Sequence, residues 1–127
     1  MSAKILVVDD NPTNLKLVSD VLAFEGHDIL KAGDAEEAQI VLAGTLPDLI
    51  LMDIALPGMD GLSLTRKLKA DERTRHIRIV ALTAFAMKGD DQKAFDAGCD
   101  GYITKPIDTR KLPEQVAALL AKVTPHP

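Results

Sequence analysis

The sequence predicts a doubly wound α/β fold, a five-stranded parallel sheet with helices packed on both faces. Two observations carry that expectation. Five short apolar runs, Lys4 to Val8, His27 to Ala32, Asp48 to Met52, Ile77 to Leu82 and Gly101 to Thr104, alternate with five amphipathic stretches. The richest, Ile5-Leu6-Val7-Val8, Leu49-Ile50-Leu51-Met52 and Ile79-Val80-Ala81-Leu82, are continuous instead of alternating, as strands buried on both faces of a parallel sheet are. These three are the expected central strands, joined to their neighbours by right-handed crossovers.

The first helix is expected from Pro12 to about Glu25. Asn11 can cap it, Pro12 suits its first turn, and Leu15, Val18 and Leu22 recur at helical spacing before Gly26 stops it. Asp34 and Glu37 make a capping box ahead of a second helix, whose buried stripe is Ala38, Val41 and Leu42. Gly61 to Ala70, with Leu64 and Leu68 one turn apart, reads as the third helix. Gly89 to Ala97 reads as the fourth, short and weakly apolar, ended by Gly98. The fifth spans Asp108 to Val123, with Leu112, Val116, Leu119, Leu120 and Val123 on one side. Asp108 caps this helix or its start is delayed to Pro113. A proline beyond the first turn deletes a backbone hydrogen bond, so a kink or a short leading turn is expected there.

At 127 residues, 46% apolar and 27% charged, the chain suits one globular domain over residues 1–123 with a short frayed tail at 124–127 and no output domain. No stretch approaches the roughly 20 apolar residues of a membrane span. Ile5 to Val8 runs straight into Asp9-Asp10, unlike a signal peptide, so a cytoplasmic protein is expected. The formal charge of -4 argues against direct DNA binding, which needs clustered Lys and Arg. His27, His76 and His126 are too scattered for zinc, and the single Cys99 reads as a buried structural thiol.

Ligands of doubly wound sheets bind at the carboxyl ends of the strands, so the residues just past each apolar run carry the chemistry. Those residues are Asp9-Asp10 after the first run, Asp53 after the third, Thr83 after the fourth and Thr104-Lys105-Pro106 at the end of the fifth. Each acid taken alone reads as a solvated strand end; their convergence on one edge points to a site. Three carboxylates in one place repel one another unless a cation joins them, and an all-oxygen donor set without thiolate or imidazole suits Mg²⁺. A carboxylate beside Mg²⁺, an ammonium and a hydroxyl can accept a phosphoryl group. Asp53 is then the nucleophile, Asp9 and Asp10 hold the metal, and Lys105 and Thr83 meet the phosphoryl oxygens. The turn-rich Pro57-Gly58-Met59-Asp60-Gly61 leaves the end of the third strand accessible.

The segments Ile5-Leu6-Val7-Val8-Asp9-Asp10-Asn11, Asp48-Leu49-Ile50-Leu51-Met52-Asp53, Leu56-Pro57-Gly58-Met59-Asp60-Gly61, Ala81-Leu82-Thr83-Ala84 and Lys105-Pro106 together resemble the receiver domain of two-component response regulators. The stretch from Thr83 to Asp90 and Lys105-Pro106-Ile107 are similar to single-domain regulators of the DivK type and to receivers of hybrid kinases. The resemblance implies a (βα)5 flavodoxin/CheY-like fold with strand order 2-1-3-4-5. It implies phosphoryl transfer to Asp53 from a histidine kinase or a histidine phosphotransfer protein. It implies Mg²⁺ held by Asp10, Asp53 and the backbone carbonyl of Ala55, with Asp9 acting mostly through water, and a cis peptide before Pro106. It further implies a switch in which Thr83 moves toward the phosphoryl group and Tyr102 turns inward behind it. The surface of the fourth helix, fifth strand and fifth helix then changes shape for a downstream protein partner.

Two positions bear on phosphoryl lifetime. Ala55 offers no side chain to position a water, and bulky Phe85 can shield the acyl phosphate or serve as a docking aromatic. Slow self-dephosphorylation is expected. The chain is expected to be a signalling phosphoacceptor and not an enzyme. A haloacid-dehalogenase-like hydrolase would need an acid at Ala55, and a flavodoxin-like cofactor domain a glycine-rich loop where Asp9-Asp10-Asn11-Pro12 stands. A receiver-like docking module that works without phosphorylation is the remaining alternative.

Overall fold

The computed structural model describes residues 3–83 and 90–121. Strands and helices alternate as β1 (Lys4–Val8), α1 (Pro12–Phe24), β2 (Asp28–Ala32), α2 (Ala35–Gly44), β3 (Leu49–Asp53), α3 (Gly61–Ala70), β4 (Arg78–Thr83), α4 (Asp90–Ala97), β5 (Gly101–Thr104) and α5 (Leu112–Ala121). All pairings are parallel, and the strand order is β2-β1-β3-β4-β5.

The apolar runs are continuous because both faces of the sheet are dry. Ile5, Val7, Leu49, Leu51, Val80 and Leu82 point to the face covered by Val18 and Leu22 of α1 and Leu112 and Val116 of α5. Their neighbours Leu6, Val8, Ile50, Met52, Ile79 and Ala81 pack instead against α2, α3 and α4. Leu119 and Leu120 lie partly buried at the margin of the first layer, and Val41 at the margin of the second. Burying each such side chain contributes on the order of 1.5–3 kcal/mol. Cys99 is buried in the second layer, as expected.

Element ends move by a residue where a local hydrogen bond wins over the apolar pattern. Asp48 lies before β3, its Oδ2 accepting from Lys4 N at 2.9 Å, and Asp53 belongs to β3 as its last residue, opposite Leu82. His27 precedes β2, with Nδ1 accepting from Ala3 N at 3.1 Å, while His76 is exposed. Ile77 donates its N–H to Thr74 O in the turn before β4. α1 stops at Phe24, with Glu25 as C-cap and Gly26 in the left-handed region at φ 91°.

The cap of α2 is half as expected. Asp34 Oδ1 accepts from Glu37 N at 2.8 Å, but Glu37 Oε1 reaches past the cap to Gly33 N at 3.4 Å. At α5 the short leading turn is what occurs: Asp108 O accepts from Lys111 N and Leu112 N, and the helix then begins with Pro113 in its first turn. There the missing N–H deletes nothing. Gly89, Val123 and the tail lie outside the described residues.

Candidate functional site

Register builds the site. Val8 lies opposite Met52, so the next residues, Asp9 and Asp53, leave β1 and β3 side by side at the same height. Asp10 follows on the exposed side, where Asn11 turns the chain into α1. One carboxylate oxygen from each of Asp9, Asp10 and Asp53 lies within 4.8 Å of the others. Asp9 and Asp53 are buried, at 1% and 4% exposure, while Asp10 opens to solvent.

Lys105, just past β5, reaches across the strand ends. Its ammonium lies 3.0 Å from Asp53 Oδ2 and 3.1 Å from Asp9 Oδ2. Its backbone N–H donates to Thr83 O at 2.7 Å, which ties the end of β5 to the end of β4. The peptide from Lys105 to Pro106 is cis, as the resemblance implied. Asp53 Oδ1 accepts from Ala55 N at 2.9 Å and Asp9 Oδ1 from Asn11 N at 2.9 Å, so both buried carboxylates are held at each oxygen. Burial pushes the Asp9 carboxyl above the usual carboxylate range; the Asn11 N–H and Lys105 oppose that, and the Asp53 charge adds to it. For Lys105 burial pulls downward, but the hydrogen bonds and charges of Asp53 and Asp9 outweigh it and hold the ammonium above its ordinary value.

Among the described residues three carboxylates face one ammonium, which leaves two formal negative charges uncompensated in a water-accessible cleft lined by Asp10, Asn11, Asn14, Ala55 and Lys105. The donors are all hard oxygens. That set fits a small divalent cation of the Mg²⁺ kind, and not zinc.

Thr83 ends β4, buried and opposite Thr104. Tyr102 of β5 points outward at 41% exposure and meets Phe95 of α4 edge to face, ring centroids 6.1 Å apart. Phe85 lies outside the described residues.

Residues 5–117 match the family described as the response regulator receiver domain. The chain belongs to the response-regulator receiver family. Among curated receivers, the polar-differentiation response regulator DivK of Brucella ovis is 41% identical over 120 residues, 94% of this chain and 98% of the relative. Among solved receivers, that of a sensor histidine kinase from Pseudomonas aeruginosa, described with a magnesium ion coordinated in its active site cleft, is 33% identical at a TM-score of 0.86. That likeness covers 96% of this chain and all of the other. The chemotaxis response regulator CheY4 of Vibrio cholerae, at 24% identity and a TM-score of 0.88 over 94% of this chain and 99% of the other, shows the shared fold.

Sequence reading missed the role of Gly61. It opens α3 against β3, and a Cβ there would collide with the Asp53 carbonyl, lie 2.7 Å from Ile54 Cα and 3.0 Å from Met52 Cγ. Its neighbour Asp60 caps α3 through Ser63 N at 2.8 Å, so Asp60-Gly61 pairs a cap with a close approach. The Asp-Gly dipeptide after a strand was the available signal.

Proposed function

We propose that this receiver is a single-domain response regulator that takes a phosphoryl group onto Asp53 with Mg²⁺. The donor is a histidine kinase or a histidine phosphotransfer protein, and the phosphorylated surface signals to a downstream protein in the cytoplasm. The observation that carries this reading is the Asp53 carboxylate at the end of β3, ion-paired to Lys105 within a three-carboxylate cluster that opens to a cleft. The likeness to DivK and to a receiver described with magnesium supports it.

In the reaction an Asp53 oxygen attacks phosphorus. The P–N bond to the donor histidine breaks, and its electron pair stays on the imidazole nitrogen, which takes up a proton. Lys105 neutralises the Asp53 carboxylate beforehand and the phosphoryl oxygens afterwards. Asp10, Asp53 and the Ala55 carbonyl would hold Mg²⁺, with Asp9 acting mostly through water, and the bound ion supplies positive charge against the phosphoryl oxygens. The product carries roughly two added negative charges. The Thr83 hydroxyl answers them, and Tyr102 turns inward from its half-exposed place beside Phe95. The chain is a phosphoacceptor and not a turnover enzyme, because Ala55 offers no acid to protonate a leaving group.

The test is intact mass after incubation with Mg²⁺ and acetyl phosphate. The expected result is a metal-dependent gain of one phosphoryl group that Asp53→Asn abolishes. No gain, with a cognate kinase also failing, would leave a docking module that works without phosphorylation.

A further inference from the structure

The cleft over Asp53 has two unlike walls. Ile54 and Ala55 form one and bring no hydrogen-bonding side chain; Asn11, Pro12 and Asn14 form the other, at the start of α1. Asn14 occupies the third position of that helix. A Glu or Gln there can turn back to the backbone N–H of the cap residue and close a capping box. In this chain that N–H is taken, because Asn11 N donates to Asp9 Oδ1 at 2.9 Å. The Asn11 carboxamide oxygen accepts from Thr13 N and Asn14 N at 2.9 and 3.2 Å, so the helix end is satisfied without the Asn14 side chain. Among the described residues the Asn14 carboxamide makes no hydrogen bond, although the residue is partly buried and lines the cleft.

We propose that Asn14 is a positioning residue for the phosphodonor, its side-chain N–H donating to an oxygen of the incoming phosphoryl group as that group comes over Asp53. The inference rests on Asp53 being the acceptor. An amide suits the place for a physical reason. The dianionic phosphoryl group must approach a cluster in which, among the described residues, three carboxylates outnumber the ammonium of Lys105, and that ammonium is shared between Asp9 and Asp53. A neutral donor on the α1 wall attracts the phosphoryl oxygens without competing for those carboxylates as a second cation would. A carboxylate at the same point would repel the donor.

The experiment compares wild type, Asn14→Ala, Asn14→Asp, Asn14→Gln and Asp53→Asn. Each is incubated with phosphoramidate and with acetyl phosphate at several Mg²⁺ concentrations, and phosphorylation rates are read by intact mass. A hydrogen bond to a charged group, partly screened by water, predicts a loss of about tenfold in the apparent second-order rate constant for Asn14→Ala. The loss should be larger for Asn14→Asp and partly restored by Asn14→Gln, with the Mg²⁺ midpoint and melting temperature unmoved. Wild-type rates in the Ala and Asp variants would overturn the inference and leave Asp53 standing. A rate loss that tracks a shifted Mg²⁺ midpoint would overturn it too, because Asn14 would then act through the metal ligands. If wild type gains no phosphoryl group, or Asp53→Asn still does, the acceptor reading falls and takes this inference with it.

Discussion

At the scale of single residues, position in the strand decides chemistry. Asp9 and Asp53 are the first polar residues past buried apolar runs, and the Lys105 ammonium lies 3.1 and 3.0 Å from them. Ala55 shows the opposite lever, a side chain too short to do anything. Replacing it with Asn gives a water beside the Asp53 phosphoryl group a hydrogen-bond partner, so hydrolysis of the phosphorylated form should quicken by about tenfold, the worth of one such bond. Loss of the added phosphoryl mass with time measures this; an unchanged rate would count against a slow-hydrolysis role for Ala55. Cys99 yields a pH prediction. Burial raises its thiol pKa in the folded state, with smaller opposing and adding effects from Thr65 and Asp100. Its contribution to stability is therefore fully present below the unfolded thiol pKa and is lost as pH rises through the higher folded value. The urea-midpoint gap between wild type and Cys99→Ala, under reductant, should shrink between pH 7.5 and pH 10, both on the order of the thiol range.

Between residues and the whole lie the elements, and here the β3–α3 connection matters most. Gly61 N donates to Ile54 O at 3.1 Å, and the bare Cα lets α3 start hard against the Asp53 backbone. Gly61→Ala has no room at that point, so the loop must shift and carry the acceptor with it. We expect a stability loss of about 1–3 kcal/mol, as for overpacked sites, together with slower phosphorylation. Chemical denaturation and the mass assay check the two parts separately. Loss of neither would mean that the loop yields without moving Asp53. The Glu37 side chain, which accepts from Gly33 N and not from Asp34 N, and the leading turn that admits Pro113 to α5 show the same principle at work elsewhere: side chains and turns settle where each element begins.

For the molecule as a whole, folding brings three carboxylates together beside the Lys105 ammonium, and a bound cation would relieve their mutual repulsion. Mg²⁺ that binds only the folded state should stabilise it by about 2.7 kcal/mol at a hundredfold excess over its Kd. Asp10→Asn should blunt that gain, because Asp10 is the solvent-facing member of the cluster. Thermal melts with and without Mg²⁺ read the difference; equal shifts in wild type and Asp10→Asn would remove Asp10 from the metal site.

Most of this was legible in the sequence. Continuous apolar runs named the buried strands, because a strand covered on both faces has no polar side to show, and the acids and lysine past those runs are the ones the strand ends bring together. Strand ends moved by one residue because periodicity is blind to a single competing hydrogen bond such as Asp48 to Lys4 N. Other features depend on neighbours far apart in the chain. The nearness of Gly61 to the Asp53 carbonyl, the contact of Phe95 with Tyr102 and the place of Asn14 on the cleft wall were decided only by the tertiary structure. The sequence by itself determined the elements, the layers and the acids and lysine gathered at the strand ends, because those follow from local pattern. Packing determined which side chains are committed and which face the cleft, because commitment depends on what a distant strand or helix brings alongside.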